Sequence, residues 1–267
     1  MSKERILIFG NGYVGNYLFK HLDNAELSTK CIKDIEDVWY EVGSGNYDVV
    51  INCIGKTGYP NVDWCEDNKY DTHFGNTIVP TLIADVCKKE EIHFINMGTG
   101  CVFDNGTFDD KAEPNYHGSF YSRTKLMCEE LIHEIYDNVT TLRIRMPISE
   151  DMSEKNYIVK TQKYNKVIDE QNSVTFLKDL LNVVKFVIDN KLYGKINCVH
   201  PKTISLAEVF KRLGKTEYKI ITLKELENLT KAGRSTITLV PKTLLDAGFK
   251  FVDFEEELTK CIEAVKK

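Results

Sequence analysis

The chain alternates between short, uninterrupted apolar runs and longer stretches in which apolar residues recur every three or four positions. Arg5-Ile-Leu-Ile-Phe9, Val49-Val-Ile-Asn-Cys53, Ile92 to Met97 and Thr140-Thr-Leu-Arg-Ile-Arg145 have the length and composition of strands buried on both faces. Between them, Tyr17 to Leu22 and Asp71 to Lys89 carry helical stripes, the second through Phe74, Ile78, Val79, Leu82, Ile83 and Val86. A short strand is expected around Glu26 to Ser28. Strands alternating with helices at this spacing predict an α/β fold, a doubly wound parallel sheet of Rossmann type. From Ser149 to Gln171 the pattern gives way to a polar, lysine-rich segment, and Ser173 to Phe176, a helix over Leu177 to Asp189 and Lys195 to Cys198 return to the first domain. Helices near Ser205 to Leu213, Leu223 to Ala232 and after Asp253 form a small interleaved C-terminal lobe. The expected division is 1–147 completed by 173–203 for the sheet, and 148–172 with 204–267 for the lobe.

The first strand runs straight into Gly10-Asn-Gly12-Tyr-Val-Gly15 and then a helix. In that setting G-x-G-x-x-G is a dinucleotide-binding fingerprint: Gly10 makes the turn, Gly12 lets the backbone approach a pyrophosphate, and Gly15 lets the helix pack on the strand. Tyr13 and Val14 open the helix, whose free N–H groups and positive dipole end face the phosphates. At the end of the second strand, Ser28 and Lys30 lie where an adenosine ribose is expected. A basic, hydroxyl-bearing end suits a 2'-phosphate, which favours NADPH over NADH; a solvated loop lysine is the alternative. Cys53 and Gly55, at the carboxyl end of the next strand, also face this side of a parallel sheet. Asp63 and Glu66 have capping-box spacing and are expected to start a helix.

Composition narrows the class. A net charge of -5 without a basic block excludes a nucleic-acid surface. No apolar run approaches the length of a membrane span, and residues 1–5 lead directly into a strand, so no leader peptide is expected. Eight cysteines without a C-x-x-C pair or a Cys/His cluster suggest neither zinc nor a disulfide scaffold, and point to a reduced, cytoplasmic protein.

The candidate chemistry lies in Asn96 to Lys125. Tyr121 and Lys125, four apart on a predicted helix, share one face, where the ammonium is expected to lower the phenol pKa. Of the thirteen tyrosines only Tyr121 has a lysine four residues on. Thr99 and Cys101, at the carboxyl end of the preceding strand, can face the same point. Cys101 is either a small buried hydrophobe or a reactive thiol activated by a nearby cation. Asn76, beside Phe74 on its helix, is a candidate buried polar support.

Together Gly10-x-Gly-x-x-Gly15, Thr99 and Tyr121-x-x-x-Lys125 resemble an extended short-chain dehydrogenase/reductase. Thr57 to Glu66, Ala84 to Cys87, Gly98 to Phe103, Pro114-Asn115, Gly118 to Lys125 and Leu142 to Ser149 narrow the resemblance. They are similar to the bifunctional nucleotide-4-keto-6-deoxyglucose 3,5-epimerase/4-reductases of L-rhamnose synthesis, cousins of the dTDP-4-dehydrorhamnose reductases. The likeness runs through residues 5–176 and thins afterwards. It implies a nucleotide-sugar substrate, NADPH, and a C-terminal substrate-binding lobe. It also implies Tyr121 as proton donor, Lys125 as its tuner and ribose anchor, Thr99 as a hydrogen bond to the carbonyl, and Asn76 as the supporting asparagine. Cys101 and Lys160 match the two epimerisation positions and Arg234 the arginine that grips the diphosphate; Gly100 and Asn156 fall with them on the substrate side, and Pro147 on the cofactor side. A reductase without epimerase activity and a non-catalytic NADP(H)-binding subunit are the alternatives, and a homodimer is the assembly allowed for. The chain departs from the family at Tyr59, in the short loop around Asn105-Gly-Thr107, and at Thr236-Ile-Thr238.

Overall fold

Six parallel strands form the central sheet of the computed structural model, which describes residues 4–266: β1 (Ile6–Phe9), β2 (Ala25–Ser28), β3 (Val49–Asn52), β4 (His93–Thr99), β5 (Val139–Ile144) and β6 (Gly194–Asn197). The leader expectation rests partly on residues outside that range. Their spatial order is β2-β1-β3-β4-β5-β6, so the winding reverses between β1 and β3. Ligands of open parallel sheets bind at the carboxyl ends beside such a switch.

Helices cover both faces, as the alternating pattern predicts. α1 (Tyr13–His21) and α5 (Leu177–Asp189) bury Leu18, Leu180, Val183 and Val187 against Ile8, Ile51 and Ile95. On the other face α2 (Ile35–Gly43), α3 (Val79–Lys89) and α4 (Phe120–Ile135) place Val38, Ile83, Val86 and Ile132 against Phe9, Val50 and Phe94. Among the described residues no helix is long and apolar enough to cross a membrane.

Three elements differ from expectation. The helix expected over Asp71 to Lys89 begins as a turn at Lys69–His73 and passes through a π-helical stretch, Phe74–Ile78, before α3. Such bulges concentrate at functional sites, and this one contains Asn76. Asp63 and Glu66 do not form a capping box: Asp63 accepts from Ala232 N at 3.0 Å and Glu66 from Phe120 N at 2.6 Å. The helix expected to Ala232 spans only Leu223–Glu227, capped by Thr222 and Glu225, because the chain beyond it is drawn towards Asp63.

The lobe packs α6 (Leu206–Leu213) and α7 (Phe254–Lys266) around Ile148, Ile158, Phe176 and Phe210. Ile237–Leu239 leaves that cluster, pairs with Gly106–Phe108, and buries Ile237 and Leu239 against Val102 and Phe103.

Two buried ionisable groups set measurable energetics. Arg143, fully buried on β5, meets Glu129 of α4 at 2.5 Å, with Phe103 under the guanidinium. Glu129→Ala leaves that charge unpaired, and chemical denaturation is expected to show a loss of about 3–5 kcal/mol. Asp179 is buried on α5, accepts from Val252 N at 2.9 Å, and its second oxygen has no partner. Burial first, and Glu257 after it, push its carboxyl up to about 7. Because the folded state favours the protonated form, this contribution is full below the ordinary carboxylate range and is lost as pH rises through about 7. Asp179→Asn is expected to flatten that decline and to add about 1–3 kcal/mol of stability at pH 8.

Candidate functional site

The loop between β1 and α1 has the cradle its glycines imply. Gly10 has φ +97°, and a Cβ there would meet Ile54 N at 2.7 Å. A Cβ on Gly15 would lie 1.9 Å from Gly10 O, whereas Gly12 faces open space within 4 Å. Backbone can therefore approach a ligand at Gly12, with the start of α1 behind it. Tyr13 donates to Ser149 Oγ at 2.8 Å, fastening the loop to the start of the lobe, and Val14 packs on the α1–α5 side. Cys53 closes the cradle beneath Gly15, its thiol pushed up to about 12 by burial. A diphosphate-bearing dinucleotide fits this arrangement: small residues, free helix N–H groups and an inert thiol.

At the end of β2, Ser28 Oγ accepts from Lys30 N at 3.2 Å. Lys30 Nζ pairs with Asp37 at 3.1 Å and lies over Tyr40. Gly55 is exposed beside Asn76, whose amide is fully used: it accepts from Lys56 N at 2.7 Å and donates to Lys56 O and to Thr124 Oγ1. Asn76 thus locks the loop after β3 to α4.

Thr99 ends β4, and its hydroxyl accepts from Cys101 N at 3.1 Å, starting the one-turn helix Gly100–Val102. Ser119 caps α4 by accepting from Ser122 N at 3.0 Å, which sets Tyr121 in the first turn, facing Thr99. Burial raises the Tyr121 phenol well above its ordinary value, Cys101 raises it further, and Thr99 and Arg145 oppose the rise. The phenol therefore keeps its proton at neutral pH. Lys125 Nζ is buried and donates to Met97 O at 2.6 Å, and burial lowers its own pKa. The groups that oppose the rise of the Tyr121 phenol are thus Thr99 and Arg145, while the lysine turns to the β4 backbone.

Cys101 is half-buried, and Arg145 Nη1 donates to its sulfur at 2.8 Å. Arg145 follows β5; Met146, at φ +44°, then turns the chain into the lobe through Pro147, which pairs with Thr175. Lys160 lies on a short lobe helix, Tyr157–Thr161, within the field of Cys101 and Arg234. Burial first, then Lys155 and Arg234, lower its pKa, while Cys101 raises it.

Two residues expected on the substrate side are occupied by the fold. Asn156 is fully buried; its amide donates to Ser149 O and Asp151 O and caps the Lys160 helix through Ile158 N. Gly100 is buried where a Cβ would strike Leu239 at 2.5 Å. Arg234 is partly exposed, held by Asp63 at 2.9 Å and Asn61 at 3.3 Å.

Arg145 was not among the sequence candidates. Its signal is faint: a second arginine, two positions after Arg143, at the end of an otherwise apolar strand. Tyr116 also lies outside the sequence candidates; its hydroxyl is buried without a partner among the described residues, packed where Cβ atoms on Gly118 or Gly233 would collide with it. Two of the three family departures prove to touch, since Asn105 Oδ1 accepts from both Thr236 N and Thr236 Oγ1.

Residues 4–266 match the family model described as the RmlD substrate binding domain. A bifunctional dTDP-4-dehydrorhamnose 3,5-epimerase/dTDP-4-dehydrorhamnose reductase of Arabidopsis thaliana is 33% identical over 98% of this chain and 93% of its own length. A trifunctional UDP-glucose 4,6-dehydratase/UDP-4-keto-6-deoxy-D-glucose 3,5-epimerase/UDP-4-keto-L-rhamnose-reductase from the same plant is 34% identical over 96% of this chain. The match spans 41% of that protein's length. Among solved structures, the L780 UDP-rhamnose synthase of Acanthamoeba polyphaga mimivirus superposes with a TM-score of 0.90 at 26% identity, covering 98% of this chain and 100% of that one. The dTDP-4-dehydrorhamnose reductase of Bacillus anthracis, solved with NADP, shares the fold at a TM-score of 0.85 and 20% identity, over 98% and 99% of the two chains.

Proposed function

The chain belongs to the RmlD substrate binding domain family, and from that premise we propose that it converts a UDP- or dTDP-linked 4-keto-6-deoxyglucose to the L-rhamnose nucleotide. It inverts C3 and C5 and then reduces the C4 ketone with NADPH. The observation that carries this reading is the meeting of two kinds of proton-handling group at the carboxyl end of β4. Tyr121 stands there with Thr99, and Cys101 acts on both Tyr121 and Lys160.

In the reduction, bound NADPH supplies a hydride to C4. The chain supplies the proton: Thr99 holds the carbonyl oxygen, and Tyr121, kept protonated by burial, donates to it as negative charge develops. Gly10, Gly12 and Gly15 with the start of α1 hold the diphosphate of the cofactor, Ser28 and Lys30 its adenosine side, and Lys125 its ribose. Lys30 serves a 2'-phosphate by exchanging Asp37 for it.

Inversion is chemistry of the chain alone. The C4 ketone acidifies the protons on C3 and C5. The Cys101 thiolate takes one: the C–H bond breaks, an S–H bond forms, and the electron pair passes to the C4 oxygen as an enolate. Lys160, whose lowered pKa makes its ammonium a readier donor, returns a proton to the opposite face. Arg234 answers the sugar-nucleotide diphosphate, for which a guanidinium fork is suited.

Incubation with the 4-keto-6-deoxy substrate in deuterated water, without NADPH, tests the reading. Deuterium is expected at C3 and C5. A substrate that stays unlabelled, while an already epimerised one is reduced, would leave a 4-reductase only.

A further inference from the structure

We infer that Arg145 is the positioning residue that keeps Cys101 in its anionic form. The inference rests on the epimerase reading for its purpose, but on separate observations for its support. Arg145 and Arg143 are two residues apart, and both are buried. Arg143 has a carboxylate, Glu129, on its guanidinium. Arg145 has none among the described residues: it donates to Asn172 Oδ1 at 3.0 Å, to Ser235 O at 2.6 Å and to Cys101 Sγ at 2.8 Å, and its Nε has no partner.

A buried guanidinium held only by neutral acceptors has lost its water without gaining a counter-charge. Cys101 is the one acceptor touching it that can become an anion, and the sulfur–nitrogen contact turns into a charge-assisted hydrogen bond when it does. The backbone fixes this pairing. Arg145 N donates to Thr175 Oγ1 at 3.0 Å, Thr175 N donates to Arg145 O at 2.7 Å, and Met146 takes a left-handed φ immediately after. Tyr116, Tyr121, Tyr157 and Lys160 also lie in the field of the sulfur or the guanidinium. Burial keeps the three phenols protonated at neutral pH, so none competes as the counter-anion.

The test follows alkylation of individual cysteines in the full chain by iodoacetamide between pH 5 and 10, read by peptide mass spectrometry. Each rate is expressed as a fraction of its own high-pH plateau, which removes differences in accessibility. Exposed Cys31 serves as the reference thiol, and buried Cys87, unreactive while the chain is folded, reports integrity. At pH 7 Cys101 is expected to retain at least tenfold more of its plateau rate than Cys31. Arg145→Gln is expected to erase that excess with Cys87 still protected, whereas Arg145→Lys restores part of it. Lys160→Met, which removes the other cation facing the sulfur, is expected to leave most of it.

No excess in the native protein, or one that survives Arg145→Gln, or one that Lys160→Met alone erases, overturns the inference. The native measurement decides even if the glutamine variant fails to fold. An excess without deuterium exchange at C3 and C5 would sink the epimerase reading and leave the ion pair standing; exchange without an excess would do the reverse.

Discussion

Tyr121→Phe is expected to lower C4 reduction by two to four orders of magnitude, the usual contribution of a positioned general acid. The ring stays, so the first turn of α4, its Ser119 cap and the neighbouring Asn76–Thr124 bond should be undisturbed, and cofactor affinity, read by fluorescence titration, should change little. What is lost is the proton for the C4 oxygen. Because burial raises the phenol well above its ordinary value, the native rate should not fall through neutral pH by loss of this proton. Deuterium exchange at C3 and C5, which the proposed mechanism assigns to the sulfur and Lys160, should persist in the variant. A Tyr121→Phe protein that still reduces at the native rate would end the assignment.

Cys101→Ala is expected to give the opposite pattern. Exchange at C3 and C5 should fall below detection, while an already epimerised 4-keto sugar is reduced within a fewfold of the native rate. The reason is geometric: Thr99 Oγ1 accepts from the backbone N–H of residue 101, which alanine keeps, so the β4 end and Tyr121 hold their places. Removing the sulfur also removes a group that raises the Tyr121 phenol, so any change in reduction should be a small gain in proton donation. The measurement is proton NMR of the sugar in deuterated water beside a cofactor-oxidation assay. Loss of both activities together would instead mean that Cys101 serves the fold of the loop.

Much of the architecture was legible because its signals are local. Four buried strands and the helices between them follow from periodicity, and the bounds of Leu177–Asp189 coincide with those expected. The glycine loop was legible because each glycine answers a contact that any side chain would break. Helix interruptions were not. The π-helical stretch around Asn76 is held by bonds to Lys56 and Thr124, residues twenty and forty-eight positions away. Asp63 and Glu66 have the spacing of a capping box, yet each is claimed by a distant backbone N–H that outcompetes the local one. Asn156 and Gly100 lie in the right stretches, but tertiary packing uses them for the chain itself.

By itself the sequence determined the strand–helix alternation, the cradle for a diphosphate and the pairing of Tyr121 with Lys125 on one helix face, because each depends on residues within a turn or two of one another. Tertiary structure alone decided which charges act on which groups. It sent Lys125 to Met97 O, placed Arg145 on Cys101 forty-four positions earlier in the chain, and brought Lys160 from the lobe into the field of the same sulfur. Electrostatic partnership depends on distance and burial in the folded chain, and neither can be read from spacing along it.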